Sequence, residues 1–402
     1  MPISNRHPRR AALVAGAWLV LLSAGAGCRR QAASPVERPT SDAASASAPA
    51  AAPPPARAPH PKRIDVHTHI SPDGIDRALK LMSEWGIDGM VNLSGMHPGP
   101  PRHALETQLA AAARSDGRIA VFTTPDFRAI RARKDWGVAL AEQLTEARRA
   151  GAIGLKISKG LGLGFLAPDG KHLLKIDDHG LDPLFARAGE LGMPVAIHIG
   201  DPKAFWQPLT PENERWDELK VHPEWAFNGP GIPSWQELYD AFEHLVARHK
   251  KTIFIGVHFG NDPEDPANVA RMLDRYPNFF IDTAARVPEI GRRDARHDAA
   301  RLRAFFIKYQ DRVLFGTDTG IGADDDQMMY GSTGAEIPTR ADEERFFKST
   351  WRYFETNDQQ FESPTPIQGR WKIDGVGLPE PVLRKIYFEN AARILKWKPR
   401  EN

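Results

Sequence analysis

Two histidines separated by one residue end the first apolar run of the chain's main body. His67 and His69 close the sequence Ile-Asp-Val-His-Thr-His, which begins at Ile64. Side chains at positions i and i+2 of a β-strand point to the same side, so both imidazoles can face one cation. This spacing indicates a metal-binding pair at the end of a strand.

Similar polar residues end or interrupt three later apolar runs. His198 follows Val-Ala-Ile, His258 follows Ile-Gly-Val, and Asp318 follows Val-Leu-Phe-Gly-Thr. An unpaired polar or charged group is costly inside an apolar segment, so these positions need partners. Imidazoles and a carboxylate converging at one edge suit Zn²⁺ best, and Mn²⁺, Fe²⁺ or Co²⁺ are alternatives.

These segments resemble the amidohydrolase superfamily, in particular its amidohydrolase-related (amidohydrolase-2-like) branch. The resemblance includes the closing Tyr-Phe-Glu-Asn-Ala-Ala-Arg-Ile-Leu, residues 387–395, and extends from residue 63 to about residue 397. That branch contains lactone hydrolases and non-oxidative decarboxylases. Members are metal-dependent barrel enzymes, so the resemblance implies a metal-dependent enzyme here.

The resemblance also implies a role for each site residue. His67, His69, His198 and Asp318 would hold one metal ion, and His258 would act on the metal-bound water or on the substrate. Other branches carry a carboxylated lysine on strand four that bridges two ions. Lys156 in Gly-Leu-Lys-Ile fits that position.

Two states of Lys156 therefore remain open. If Lys156 is carboxylated, His198 and His258 would serve a second metal ion. If it is unmodified, its ammonium would pair with a substrate anion or with Asp318.

Short apolar runs alternate with helical patterns through the main body, as in parallel β/α units. The predicted strands are Ile64–Ile70, Gly89–Leu93, Ile119–Thr124, Ile153–Ser158, Pro194–Ile199, Thr252–His258, Phe279–Thr283 and Val313–Thr317. The clearest predicted helices are Ile75–Trp85, Ala104–Arg114, Val138–Ala150, Leu181–Leu191 and Pro379–Trp397. Eight alternations favour an α/β fold, a (β/α)8 TIM barrel. A doubly wound sheet would need a glycine-rich turn after the first strand, where the sequence is Thr-His-Ile-Ser-Pro-Asp-Gly.

Two long connections and one arginine indicate where a substrate would bind. The segment Asp201–Ser234 carries Trp206, Trp216 and Trp225 and predicts a folded lid, and Gly320–Asp342 follows strand eight. Trp206 is expected either to face a ring substrate or to pack within the lid. Arg286, at the exit of strand seven, can grip a substrate carboxylate. The alternative for Arg286 is a salt bridge to Glu289, Asp282 or a lid acid.

The N-terminal region reads as an export leader followed by a linker. Three arginines (Arg6, Arg9, Arg10) precede the uncharged segment Ala11–Gly27, and Cys28 stands where a lipoprotein would be lipidated. Of the residues from Gln31 to His60, 22 of 30 are Ala, Pro or Ser, which predicts a disordered tether. The predicted divisions are residues 1–28, 29–61 and 62–402. We expect an exported protein, periplasmic or tethered to the outer membrane by a lipid anchor.

Composition excludes several classes of protein. Without the three leader arginines, Lys+Arg falls from 53 to 50 against 51 Asp+Glu, a formal charge of −1, so nucleic-acid binding has no support. A single cysteine excludes an intramolecular disulfide and a Cys-rich metal site.

The sequence therefore predicts a metal-dependent hydrolase that acts on a small-molecule substrate. A metal-activated water would attack an ester, lactone or amide bond, with Asp318 moving the proton and His258 donating a hydrogen bond to the oxyanion. One alternative is non-oxidative decarboxylation of an aromatic or unsaturated acid. Another is a surface-tethered lipoprotein that binds metal without catalysis.

Overall fold

Within the part of the chain that the structure describes, ten strands form one curled sheet. The computed structural model describes residues 61–96, 105–127 and 134–400. The strands are β1 (Ile64–Ile70), β2 (Gly89–Met96), β3 (Ile119–Thr124), β4 (Gly154–Ile157), β5 (Val195–Ile197), β6 (Phe254–Gly256), β7 (Phe279–Asp282), β8 (Val313–Leu314), β9 (Thr319–Ile321) and β10 (Met329–Tyr330).

Most neighbouring strands of this sheet run parallel. The order is β10-β9-β1-β2-β3-β4-β5-β6-β7-β8, and only the β9–β10 pair is antiparallel. The two strands β8 and β9 are separated by residues 315–318 alone. Val66 N donates to Phe315 O at 3.0 Å and Asp318 N donates to His67 O at 2.8 Å, so this short connection lies beside β1.

Helices follow the strands in the predicted alternation. Those of nine or more described residues are α1 (Ile75–Trp85), α2 (Leu105–Ala113), α3 (Trp136–Ala150), α4 (Asp182–Leu191), α5 (Trp235–Arg248), α6 (Pro266–Arg275), α7 (Ala299–Lys308) and α8 (Arg340–Glu355). Shorter helical turns include Gly160–Leu163, Val257–Gly260 and Val287–Gly291. A final helix is made of Glu380–Arg384, a π-helical turn Lys385–Glu389, and Asn390–Leu395.

The final helix covers the amino-terminal edge of the sheet. Ile394 and Leu395 pack in one buried cluster with Ile64, the first residue of β1. The Trp397 ring lies so close to Gly89, the first residue of β2, that a Cβ there would be 2.8 Å from it. The helix therefore closes one edge of the sheet, and the predicted chemical residues lie at the other.

Strand eight is shorter than the sequence predicted. It ends at Leu314, whereas the prediction ran to Thr317. Thr317 N donates instead to Asp65 Oδ1 at 3.0 Å, and Asp318 takes a left-handed conformation with φ of 64°. These two features bend the chain out of the strand before it resumes as β9.

The predicted lid over residues 201–234 is folded. It contains the helical turns Lys203–Trp206, Trp216–Leu219 and Pro223–Trp225. Phe205, Leu219 and Phe227 form a small buried cluster of their own. This apolar centre explains why a long connection keeps a defined shape.

The predicted leader, Cys28 and almost all of the linker lie outside the described residues. In the described ranges, no helix combines the length and the apolar character needed to cross a membrane.

Candidate metal centre

Three predicted ligands meet at the carboxyl edge of the sheet. His67, His69 and Asp318 each place a ligand atom within 4.8 Å of the others. Nε2 of His67 and Nε2 of His69 each lie 3.4 Å from Asp318 Oδ1. Burial alone would raise the pKa of Asp318, but the neighbouring histidines outweigh that effect and hold it well below the usual value. Two imidazoles and an ionised carboxylate form a donor set suited to a divalent cation.

A buried carboxylate orients the first of these histidines. His67 Nδ1 lies 2.9 Å from Asp282 Oδ2, and both side chains are almost fully buried. Because Nδ1 is directed at the carboxylate, Nε2 is the nitrogen turned toward Asp318. Carboxylates commonly orient metal-binding histidines in this way. The residues present therefore fit a bound cation.

His258 lies against His67 and His198. Its ring centroid is 4.9 Å from that of His67 and 4.4 Å from that of His198. His258 Nδ1 lies 3.0 Å from Ala284 O, a carbonyl that can only accept, so this nitrogen carries the hydrogen. Burial lowers the pKa of His258 well below its usual value. The neutral ring therefore presents a lone pair at Nε2.

Two of the candidate site residues have a backbone conformation that non-glycine residues seldom adopt. φ is 55° at His258 and 64° at Asp318. Such conformations cost about 1–3 kcal/mol each and persist where the surroundings enforce them. Here His258 N donates to Asp282 Oδ1 at 2.8 Å, and Asp318 N donates to His67 O at 2.8 Å. The surrounding bonds hold both residues at the site despite the strain.

His198 lies beside the group of three ligands but outside it. Its Nε2 is 3.1 Å from Gly200 O, which makes Nε2 the protonated nitrogen, and 3.6 Å from Asp201 Oδ1. The nitrogen with a lone pair is therefore Nδ1. A role for His198 as a metal ligand stays a prediction.

Lys156 is a buried cation next to this group. Burial lowers its pKa from 10.5 to about 8, and the charges of Asp318 and Asp282 oppose that shift. Burial lowers the pKa of His67 and of His198, and the charge of Lys156 adds to both shifts. Strand four therefore brings Lys156 to the site as predicted, and its carboxylation stays a prediction.

The two predicted substrate-binding residues have different surroundings. Arg286 is 5% exposed, and its Nε forms an ion pair with Glu289 Oε1 at 3.9 Å, the salt bridge that the sequence left open as the alternative, without a hydrogen bond. Trp206 donates from Nε1 to Pro233 O at 2.9 Å and its ring lies 4.6 Å from that of Phe227. These contacts of Trp206 are packing within the lid, the alternative that the sequence left open. Substrate binding by either residue stays a prediction.

Sequence reasoning missed the importance of two buried aspartates. Asp282 entered only as a salt-bridge partner for Arg286, yet it binds His67 and the backbone of His258. Asp65 accepts from His67 N at 3.1 Å and from Thr317 Oγ1 at 2.5 Å, and burial raises its pKa to about 7. The signal was present, since each is a carboxylate within a run of apolar strand residues.

Comparison with known proteins identifies one family. The protein-family model described as Amidohydrolase matches residues 64–397. Comparison with curated protein sequences found no match.

Several solved structures show a distant likeness. 2,6-Dihydroxybenzoate decarboxylase from Rhizobium is 18% identical, with 84% of this chain and 99% of that chain covered and a TM-score of 0.48. A dihydroxybenzoic acid decarboxylase from Polaromonas, with manganese and 2-nitroresorcinol bound, is 14% identical over 84% and 97%, with a TM-score of 0.47. 4-Oxalomesaconate hydratase from Rhodopseudomonas palustris is 14% identical over 83% and 95%, with a TM-score of 0.44. Likenesses this distant assign no reaction to this chain.

Replacing Asp282 by asparagine should weaken metal binding. In Asp282→Asn, only one side-chain oxygen remains as an acceptor. It cannot accept both from His67 Nδ1 and from the backbone N–H groups of His258 and Ala284, and the negative charge is lost. We expect the affinity for Zn²⁺ to fall about 10–100-fold, as for other carboxylates that orient metal ligands. Competition with a zinc chelator measures this, and Asp274→Asn, an exposed residue paired with Lys308, is the control. Equal affinities of the two variants would contradict this role.

Lys156 should make stability depend on pH in a defined window. Because burial lowers its pKa from 10.5 to about 8, the unfolded chain binds more protons at this residue between these values. The metal-free wild type should therefore gain stability relative to Lys156→Met as pH rises through this window, by up to roughly 3 kcal/mol. Urea unfolding of both proteins from pH 7 to 10.5 measures the difference. A difference that stays constant would contradict an unmodified, buried amine.

Proposed function

Because the chain belongs to the amidohydrolase family of metal-dependent enzymes, we propose that it hydrolyses an ester, lactone or amide bond. The substrate would be a small molecule that bears a carboxylate. The observation that carries the proposal is the meeting of His67, His69 and Asp318 within 4.8 Å, with the His258 ring beside them.

The donor atoms define which residues would hold the cation. His67 and His69 would bind it through Nε2 and Asp318 through its carboxylate, with His198 proposed as a fourth ligand through Nδ1. Zn²⁺ suits this set best, and Mn²⁺, Fe²⁺ or Co²⁺ are alternatives. When bound, such a cation supplies an acidified water and polarises a carbonyl oxygen.

Three side chains would handle protons and charge during the reaction. Asp318, ionised at neutral pH, would accept a proton from the attacking water and pass it to the leaving group. Neutral His258 would accept a hydrogen bond or a proton at Nε2, because its Nδ1 hydrogen is directed at Ala284 O. We propose this acceptor role in place of the predicted donor role, because donation from Nε2 as well would require the protonated ring, which burial disfavours. The Lys156 ammonium would face negative charge on the substrate.

Arg286 would bind the carboxylate of the substrate. A guanidinium can donate two parallel hydrogen bonds to a carboxylate, and Arg286 is a buried guanidinium at the exit of β7.

We also propose that the curled sheet is the closed (β/α)8 barrel expected from the sequence. The parallel pairing of β9 with β1 and the bond from Val66 N to Phe315 O support closure through residues 315–318. A closed barrel would place the carboxyl ends of all strands around one mouth.

Isotopic labelling tests the proposed reaction directly. The metal-loaded protein is incubated in H₂¹⁸O and in D₂O with nitrophenyl esters, aromatic lactones, aryl amides and hydroxybenzoic acids. Hydrolysis predicts ¹⁸O in the product acid. Release of CO₂ with deuterium in the product would establish the decarboxylase instead. A metal-loaded protein that converts none of these compounds would favour metal binding without catalysis.

Asp318→Asn should abolish this turnover while leaving metal bound at reduced affinity. The amide cannot accept the proton, and general acid–base groups contribute roughly 10²–10⁴-fold to rate. The control is Asp326→Asn, an exposed aspartate in the helical turn between β9 and β10. Unchanged turnover in Asp318→Asn would refute the assigned role.

A further inference from the structure

Four buried charged residues join the lid to the exit of β7. Arg215 and Glu218 belong to the lid, and Arg286 and Glu289 follow β7. Their exposed fractions are 0% for Arg215 and Glu289, 3% for Glu218 and 5% for Arg286. Ionised groups are costly to bury unless they are closely paired, so the pairing within this group decides what each residue can do.

The lid residue Arg215 forms ion pairs with both carboxylates of the group. Arg215 Nη1 donates to Glu218 Oε2 at 3.0 Å, and its Nη2 forms an ion pair with Glu289 Oε1. Ser332, from the connection after β10, donates to the other oxygen of Glu218. Three separate connections of the chain are thus held together around Arg215.

Arg286 interacts much more weakly with the same carboxylates. Its Nη1 donates to Ala285 O at 2.9 Å, but its Nε lies 3.9 Å from Glu289 Oε1. Among the described residues, Arg286 Nε has no hydrogen-bond partner. Arg286 is therefore ion-paired with Glu289 at 3.9 Å without a hydrogen bond from Nε, and this buried guanidinium keeps part of its donor capacity unused.

The unused donor belongs to a residue near the candidate metal centre. Ala284, two residues before Arg286, accepts from His258 Nδ1 at 3.0 Å. A substrate group bound at Arg286 would therefore lie close to the candidate metal centre, where the proposed reaction takes place.

We propose that Arg215 is a positioning residue that keeps Arg286 available for a substrate carboxylate by occupying Glu289. This inference rests on the proposed function, which assigns the carboxylate to Arg286. Without Arg215, the buried Glu289 would lose its close partner and would draw Arg286 from the present 3.9 Å ion pair into a hydrogen-bonded one, and the substrate would lose its donor. The anion subsite would then depend on a lid residue that does not touch the substrate.

Binding of two matched probes tests this inference. The probes are isophthalate and its monoamide, 3-carbamoylbenzoate, which differ by one carboxylate. Their dissociation constants are measured by calorimetry on the full chain, loaded with Zn²⁺ and stripped of it. We expect the wild type to bind isophthalate at least 10-fold more tightly than the monoamide, and Arg286→Met to lose this preference. A wild type that binds both probes equally overturns the proposal.

The lid variants separate positioning from general support of the lid. Arg215→Met should reduce the preference for isophthalate at least 5-fold, whereas Glu289→Gln alone should keep it. The double variant Arg215→Met/Glu289→Gln should recover the preference, because no carboxylate remains to capture Arg286. If the double variant stays as weak as Arg215→Met, Arg215 only supports the lid and the proposal is wrong.

Two further variants keep the test decisive. Arg370→Met breaks an exposed ion pair with Asp217 of the same lid turn and should leave the preference unchanged. If Arg215→Met fails to fold, Arg215→Lys replaces it, with a smaller loss that Glu289→Gln should again reverse. A loss that Glu289→Gln does not reverse overturns the proposal.

Because these measurements need no turnover, their failure is distinguishable from failure of the proposed reaction. The preference for isophthalate can be observed even if the isotope experiment shows decarboxylation. Hydrolysis can likewise be observed even if this preference is absent.

Discussion

The Asp282 carboxylate connects the parts of the sheet that carry the candidate metal centre. It accepts from the His67 ring on β1, from the backbone of His258 after β6, and from Ala284 N beside it. Each bond fixes a different feature: the nitrogen that His67 presents, the left-handed backbone at His258, and the turn that leads to Arg286. The geometry of the site thus depends on one buried side chain that need not contact metal or substrate.

Charge compensation is the second constraint on this edge of the sheet. Asp282 and Asp318 are negative and largely buried, and Lys156 and Arg286 are positive and buried beside them. Groups held in place by such contacts need little rearrangement when charge develops during a reaction. A divalent cation would add positive charge at this edge, where two imidazoles and a carboxylate already bring their donor atoms within 4.8 Å of one another.

The positions of the strands and of most site residues were predictable because both follow local patterns. Apolar runs located β1 to β8, and polar residues ending those runs located His67, His69, His258 and Asp318. The early end of β8 was not predictable, because it follows from the bond between Thr317 and Asp65, 252 residues apart in sequence. The tautomer of His258, and the pairing of Glu289 with Arg215 as well as Arg286, likewise depend on residues distant in sequence, which no local pattern reveals.

Anomalous diffraction at the zinc edge, from crystals of the Zn²⁺-loaded protein, tests the central claim most directly. The account predicts one strong peak within coordination distance of His67 Nε2, His69 Nε2 and an Asp318 oxygen, with Asp282 still bonded to His67 Nδ1. A protein that carries no stoichiometric zinc, or a peak bound by other residues, would contradict it.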